Sequence, residues 1–227
     1  MNATELRRND SVGNGYRERD CSVEDFVAAL RPRPEDGSLR FAAEIVDDVP
    51  LYDCRELASA LEDEAIRADL QDEWANVLNV GAGVLVLKGM YADNAPVDAA
   101  TEIFESLIRE ERESGAGAAD HFAKAGANDR IWNAQEKLCL RSPAVFARYF
   151  ACPALCAIAE SWLGPHFQMT SQVNVVRPGG QAQQAHRDYH LGFQTVVEAE
   201  RYPAHVHAMS AFLTLQGAIA HTDMPVE

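Results

Sequence analysis

Positive charge is scarce in this sequence: its 227 residues carry 20 Lys and Arg against 35 Asp and Glu, a formal net charge of −15. That balance argues against nucleic acid and anionic membrane as partners, since both attract clustered basic residues. It also means that an anionic substrate needs a local basic pocket built from particular Arg or Lys side chains. Long apolar runs are missing too. None approaches the roughly 18 residues of a membrane-spanning helix, and the start, Met1-Asn-Ala-Thr-Glu-Leu-Arg-Arg8, has no hydrophobic signal segment. The five cysteines (Cys21, Cys54, Cys139, Cys152, Cys156) are scattered and include no C-x-x-C. They read as reduced thiols of a cytoplasmic protein, not as a disulfide framework or a zinc site. No nucleotide loop is present either: Gly81-x-Gly83 precedes an apolar run instead of following one, and no phosphate-loop lysine comes after it.

What is there reads as helices first and strands later. Residues 1 to about 20 are polar and charged, the composition of a disordered tail, which leaves 21–227 as a single domain. Ser22 caps a short helix that Pro32 and Pro34 stop. A short strand is expected over 41–46. Leu57, Leu61, Ile66, Leu70, Trp74 and Leu78 recur near a helical period from Asp53 to Asn79, with the carboxylates on the other side as a solvated face. Gly81–Gly89 predicts a short buried strand, and Pro96–Ser114 a second amphipathic helix. Residues 120–133 read as a polar, aromatic-containing loop. Ser142-Pro143 opens a third helical stretch, which Leu163-Gly-Pro165 ends. Beyond it, 167–176, about 193–199 and 205–221 alternate like strands. The pattern predicts an α+β fold, helical over about 21–165 and built of antiparallel strands over about 166–227.

The candidate chemistry gathers after the turn signal Arg177-Pro-Gly-Gly180, in His186-x-Asp188. An imidazole and a carboxylate two residues apart on extended chain point the same way, about 6–7 Å apart at Cα, and both reach one cation. That donor pair suits Fe(II), and a second His completes a facial triad with three open positions. Alone, the motif is equally a polar loop after a strand. His190 lies about 13 Å from His186 at Cα on extended chain and reads as a cavity-lining group. His205-x-His207 is a possible clamp on one strand face, with cross-strand polar packing as the default. Gln172 and Asn174 alternate with Val173 and Val175, so they share a strand face, open either to a cavity or to solvent.

Pro178-Gly-Gly180, Gln183-Gln-Ala-His186-Arg-Asp188 and His190-Leu-Gly-Phe193 together resemble the phytanoyl-CoA dioxygenase family of Fe(II)/2-oxoglutarate oxygenases. The resemblance covers roughly residues 80–227 and is sharpest over 168–193. It implies N-terminal helices packed on a double-stranded β-helix, a jelly-roll-like core, with His186 and Asp188 as metal ligands. It further implies 2-oxoglutarate as co-substrate, molecular oxygen as oxidant, and hydroxylation of a small organic substrate. Gln172, Asn174 and Lys137 correspond to positions that help to bind the oxoacid; a surface lysine is the competing reading of Lys137. The family's third ligand, a late His, and the Arg that follows it have no counterpart before Glu227. The second half of the barrel is therefore expected to be missing, with a truncated or degenerate non-catalytic binding domain as the alternative. His221 offers a third ligand at a spacing shorter than the family's; an ordinary strand-end histidine is the other reading. The substrate itself is not legible, although the acidic surface disfavours a CoA ester.

Overall fold

The computed structural model describes residues 17–18, 22–29, 39–114, 128–180 and 195–224. In chain order the elements are α1 (Val23–Ala29), β1 (Glu44–Val46), β2 (Val49–Asp53), α2 (Ala58–Glu62), α3 (Glu64–Asn79), β3 (Val86–Lys88) and α4 (Ala95–Glu113). Then follow β4 (Asn128–Ile131), α5 (Ala134–Arg141), α6 (Pro143–Phe150), α7 (Pro153–Leu163), β5 (Val173–Val176), α8 (Val196–Ala199) and α9 (Ala204–Phe212). They form two compact units. Of the described residues, the larger contains 39–114, 128–180 and 218–224; the smaller contains 17–18, 22–29 and 195–217.

The larger unit holds two small sheets. β1 and β2 are antiparallel, joined by Asp47 and Asp48, which both take positive φ (48° and 67°). That is the backbone of a tight primed hairpin turn, and Asp tolerates it because its short side chain bonds locally. β3 runs parallel to β2, giving the order β1-β2-β3. One core packs beneath this sheet: Tyr52 from β2 meets Trp74 from α3 edge to face, with centroids 5.8 Å apart, and both are fully buried. A second core surrounds Val97, Ala100, Phe104, Leu107 and Ile108, the apolar stripe of α4, together with Ile131 and Leu138.

The helix expected over 53–79 is interrupted. Asp63 takes an extended conformation and its carboxylate accepts from the N–H groups of Ala65 and Ile66, both at 3.0 Å. It therefore starts α3 afresh, as an N-cap does. The carboxylate face is also more than a solvated surface. Glu73 accepts from the N–H of Arg40 (2.6 Å) and of Phe41 (3.2 Å) and from the Tyr52 hydroxyl (2.9 Å), fastening the chain before β1 to α3. Burial, and then the charge of Glu73, push the Tyr52 phenol up from its ordinary value.

The expected buried strand at 81–89 is a shorter edge strand, with Val86 41% exposed. Ser142 caps α6 as expected, accepting from Val145 N–H at 3.4 Å with Pro143 in the first turn. Gly164 ends α7 at φ 79°, and the strand expected at 167–176 is present over its last four residues.

Past residue 194 the alternating pattern misleads. Residues 193–199 and 205–221 were expected as strands; α8 and α9 stand there, followed by irregular chain over 214–220. The reason is local. Thr195 and Glu198 form a capping box, Oγ1 of Thr195 accepting from Glu198 N–H while the Glu198 carboxylate accepts from Thr195 N–H, each at 3.3 Å. Pro203 then precedes Ala204-His-Val-His-Ala-Met-Ser-Ala-Phe212, whose alanines favour a helix. Among the described residues, helices and small sheets thus alternate through an α+β fold, and the region expected as strands contains helices over 196–199 and 204–212. The polar stretch before Asn133 ends in β4, which was expected as loop. The expected tail falls outside the described residues, apart from 17–18.

Candidate functional site

β4 and β5 pair antiparallel, with Asn128, Asp129, Arg130 and Ile131 opposite Val176, Val175, Asn174 and Val173. Directly opposed residues project to the same side of a ladder. Ile131, Val173 and Val175 therefore turn inward onto the α4 core. Arg130, Gln172 and Asn174 share the other face, where Gln172 and Asn174 are exposed and Arg130 half-buried. Arg130 Nε donates to Gln172 Oε1 at 3.1 Å and Nη2 donates to the same oxygen, while the guanidinium lies 4.0 Å over the Trp132 ring. The common face expected for Gln172 and Asn174 is thus real, and a cation that the sequence did not single out sits between them.

Asp129 fixes the exit from this ladder. Its carboxylate, 9% exposed, accepts two bonds from Arg112 of α4, both at 2.8 Å, and one from Arg177 Nε at 2.7 Å. Arg177 opens the turn that follows: Gly180 N–H donates to Arg177 C=O at 2.7 Å, with Gly179 at φ 83°. Pro at the second position and a left-handed glycine at the third are the chemistry of a type II turn. The Asp129 carboxylate thereby holds the residue that opens the turn over 177–180. Asp129→Asn should cost about 1–2 kcal/mol, charged hydrogen bonds discounted for half-exposed arginines. Arg40→Gln, which breaks the exposed Arg40–Asp69 pair, should cost less than half of that in the same urea titration. Equal losses would mean that the Asp129 network holds nothing in place.

His186, Asp188 and His190 lie outside the described residues. Among the described residues, no three His, Cys, Asp or Glu side chains gather where they could hold a metal ion. In chemistry the pair His186 and Asp188 fits a divalent first-row metal, one imidazole nitrogen and one carboxylate oxygen. Lys137 is neutralised by Glu111 across the α4–α5 contact, beside a two-bond pair of Arg141 and Glu110 (2.9 and 2.6 Å). Arg141 holds the Glu110 carboxyl down at about 2.

His221 has both ring nitrogens occupied. Thr101 Oγ1 donates its single hydrogen to Val97 C=O at 2.8 Å, so it accepts from His221 Nδ1–H at 2.7 Å. Nε2 is then the acceptor, and the Tyr149 hydroxyl donates to it at 2.8 Å. Phe104 and Tyr149 flank the ring at 5.9 and 5.6 Å. In this arrangement no lone pair of His221 is free for a metal, and the residue ties the chain near 221 to α4 and α6. Burial lowers its pKa from the ordinary 6.5, with the charge of Asp98 opposing. The unfolded chain therefore binds the proton more readily, so this stabilisation is complete above pH 6.5 and is lost as pH falls through the folded value. Urea titrations at pH 7.5 and pH 5.5 should show wild type losing more stability than His221→Gln; identical losses in both would exclude a buried neutral imidazole.

His205 and His207 are also corrected. On α9, two positions apart, they point to different sides of a helix. His205 is exposed, and His207 Nε2–H donates to Ala199 C=O at 2.9 Å. The four described cysteines are free thiols, and burial pushes Cys54 up to about 12. Arg130 and Asp129 escaped the sequence reading because β4 is four residues long and follows a glycine-containing polar stretch. The usable signal was the apolar Ile131 beside a charge pair.

The family model for phytanoyl-CoA dioxygenase (PhyH) matches residues 80–227, most of the chain. This chain belongs to the phytanoyl-CoA dioxygenase family. The match takes in β4, α5 to α7, β5 and the His186-x-Asp188 segment, and leaves α1, β1, β2, α2 and all of α3 outside it. Membership places the protein in the Fe(II)/2-oxoglutarate-dependent oxygenase superfamily. No curated protein and no solved structure matches the chain.

Proposed function

We propose that the protein is a non-haem Fe(II)- and 2-oxoglutarate-dependent dioxygenase that hydroxylates a small organic substrate, with molecular oxygen as oxidant. The observation that carries this reading is the PhyH match running through β5 and the His186-x-Asp188 segment that follows its turn. His186 and Asp188 hold the iron, and the β4–β5 ladder belongs to a double-stranded β-helix whose polar face lines the cavity. Gln172 and Asn174 lie on that face and donate amide N–H bonds to a carboxylate of the oxoacid. Lys137 joins them on opening its pair with Glu111. Bound iron supplies the redox chemistry that couples decarboxylation of 2-oxoglutarate to succinate with hydroxylation of a C–H bond. Asp188 favours hydroxylation, because a carboxylate ligand occupies the position that a halide takes in related halogenating enzymes. The test is succinate release from 2-oxoglutarate with Fe(II) and oxygen, compared between wild type and His186→Ala.

A further inference from the structure

The basic residues on and beside the β4–β5 ladder are not equivalent. Arg112 and Arg177 share the carboxylate of Asp129, Lys137 is paired with Glu111 and Arg141 with Glu110. Arg130 alone among these five has no carboxylate partner within the described residues. Its fork is held by a neutral amide, Gln172, and its plane by the Trp132 ring, so it is oriented without being discharged. In a chain of net charge −15, where most cations near this ladder are paired, such an arrangement is a local source of positive potential.

Its neighbours are donors. Gln172 gives its carbonyl oxygen to Arg130, which leaves its amide N–H groups directed elsewhere. Asn174 stands directly opposite Arg130 in the ladder and is exposed. A guanidinium with two amides on the same strand face supplies several donors complementary to a carboxylate, and stacking on Trp132 fixes the plane of the guanidinium.

We propose that Arg130 is the charged anchor of a carboxylate-binding subsite on the polar face of β4 and β5, with Gln172 and Asn174 as its neutral donors. This rests on the reading of that face as cavity lining. The carboxylate belongs either to the oxoacid co-substrate or to the substrate that is hydroxylated, and binding measurements separate the two.

Calorimetric titration of the whole chain with glutarate, a dicarboxylate without the keto group needed for chelation, reads the subsite without the metal. Glutarate should bind wild type and weaken on the order of tenfold to a hundredfold in Arg130→Gln, the worth of a charge-assisted hydrogen bond. Arg130→Lys should retain part of the affinity, as a point charge without the fork. Gln172→Glu places a carboxylate on Arg130 without disturbing the strand, and should remove binding as completely as Arg130→Gln. Binding should be unchanged in His186→Ala. No binding to wild type, or equal affinity in wild type, Arg130→Gln and Gln172→Glu, overturns the subsite. If 2-oxoglutarate competes with glutarate for the Arg130-dependent site, the carboxylate is the oxoacid's. If glutarate binds the 2-oxoglutarate-saturated chain with the same dependence, it is the substrate's; each result supports the subsite and assigns it. Failure of the oxygenase reading is distinct: glutarate binding then stays Arg130-dependent while succinate release does not depend on His186.

Discussion

His186→Ala should lower Fe(II)-dependent succinate release from 2-oxoglutarate by on the order of a hundredfold or more. Loss of a supporting group behind a ligand already costs about 10- to 100-fold in metal affinity or activity, and loss of the ligand itself should cost no less. His186 and Asp188 are the two ligands assigned, so removing either leaves one protein donor for a cation that needs several. Asp188→Ala should abolish iron binding less completely than His186→Ala if an added small anion occupies the vacated position. Metal content of the purified variants, read by elemental analysis, separates loss of iron from loss of chemistry. Succinate release that is unchanged in His186→Ala, with full iron content, ends the oxygenase assignment to this segment.

Trp74→Ala should destabilise the larger unit by about 3–5 kcal/mol, the range for deleting a buried large aromatic. Trp74 is 0% exposed, and its ring meets Tyr52, also 0% exposed, at an interplanar angle of 88°. Removing the indole leaves a cavity lined by Tyr52 and Leu70, and it takes away an edge-to-face contact that adds about 0.5–1.5 kcal/mol beyond area. The cost stays below the loss of the full transfer energy only if α3 shifts toward β2, which the Glu73 bonds to Arg40, Phe41 and Tyr52 resist. Trp74→Phe should recover more than half of the loss. A midpoint for Trp74→Ala in urea within experimental error of wild type would show that this core does not carry the unit's stability.

Local chemistry was legible wherever it was strong. Ser142-Pro143, Leu163-Gly164 and Pro178-Gly179 act on neighbours within four residues, and each starts a helix, ends one or makes a turn as its residue types dictate. The shared face of Gln172 and Asn174 followed from a period of two, and the family from the residues around His186. Thr195 and Pro203 carry equally local signals, but apolar alternation overshadowed them. Two helices were read as strands there because Val196, Val197 and Val206 favour either state once a cap is in place.

Local sequence thus settled the helix start at Ser142, the helix end at Gly164, the turn after residue 177 and the family, since those depend on residue types a few positions apart. Partnership across the fold was a different matter. That Asp129 grips Arg112 and Arg177, that Glu73 collects Arg40, Phe41 and Tyr52, and that Thr101 and Tyr149 take both nitrogens of His221 became fixed only when distant segments packed. An Arg or a His carries the same charge and the same donors at any position; which of them is neutralised, and which is left to meet a ligand, depends on the groups that folding brings within about 3 Å.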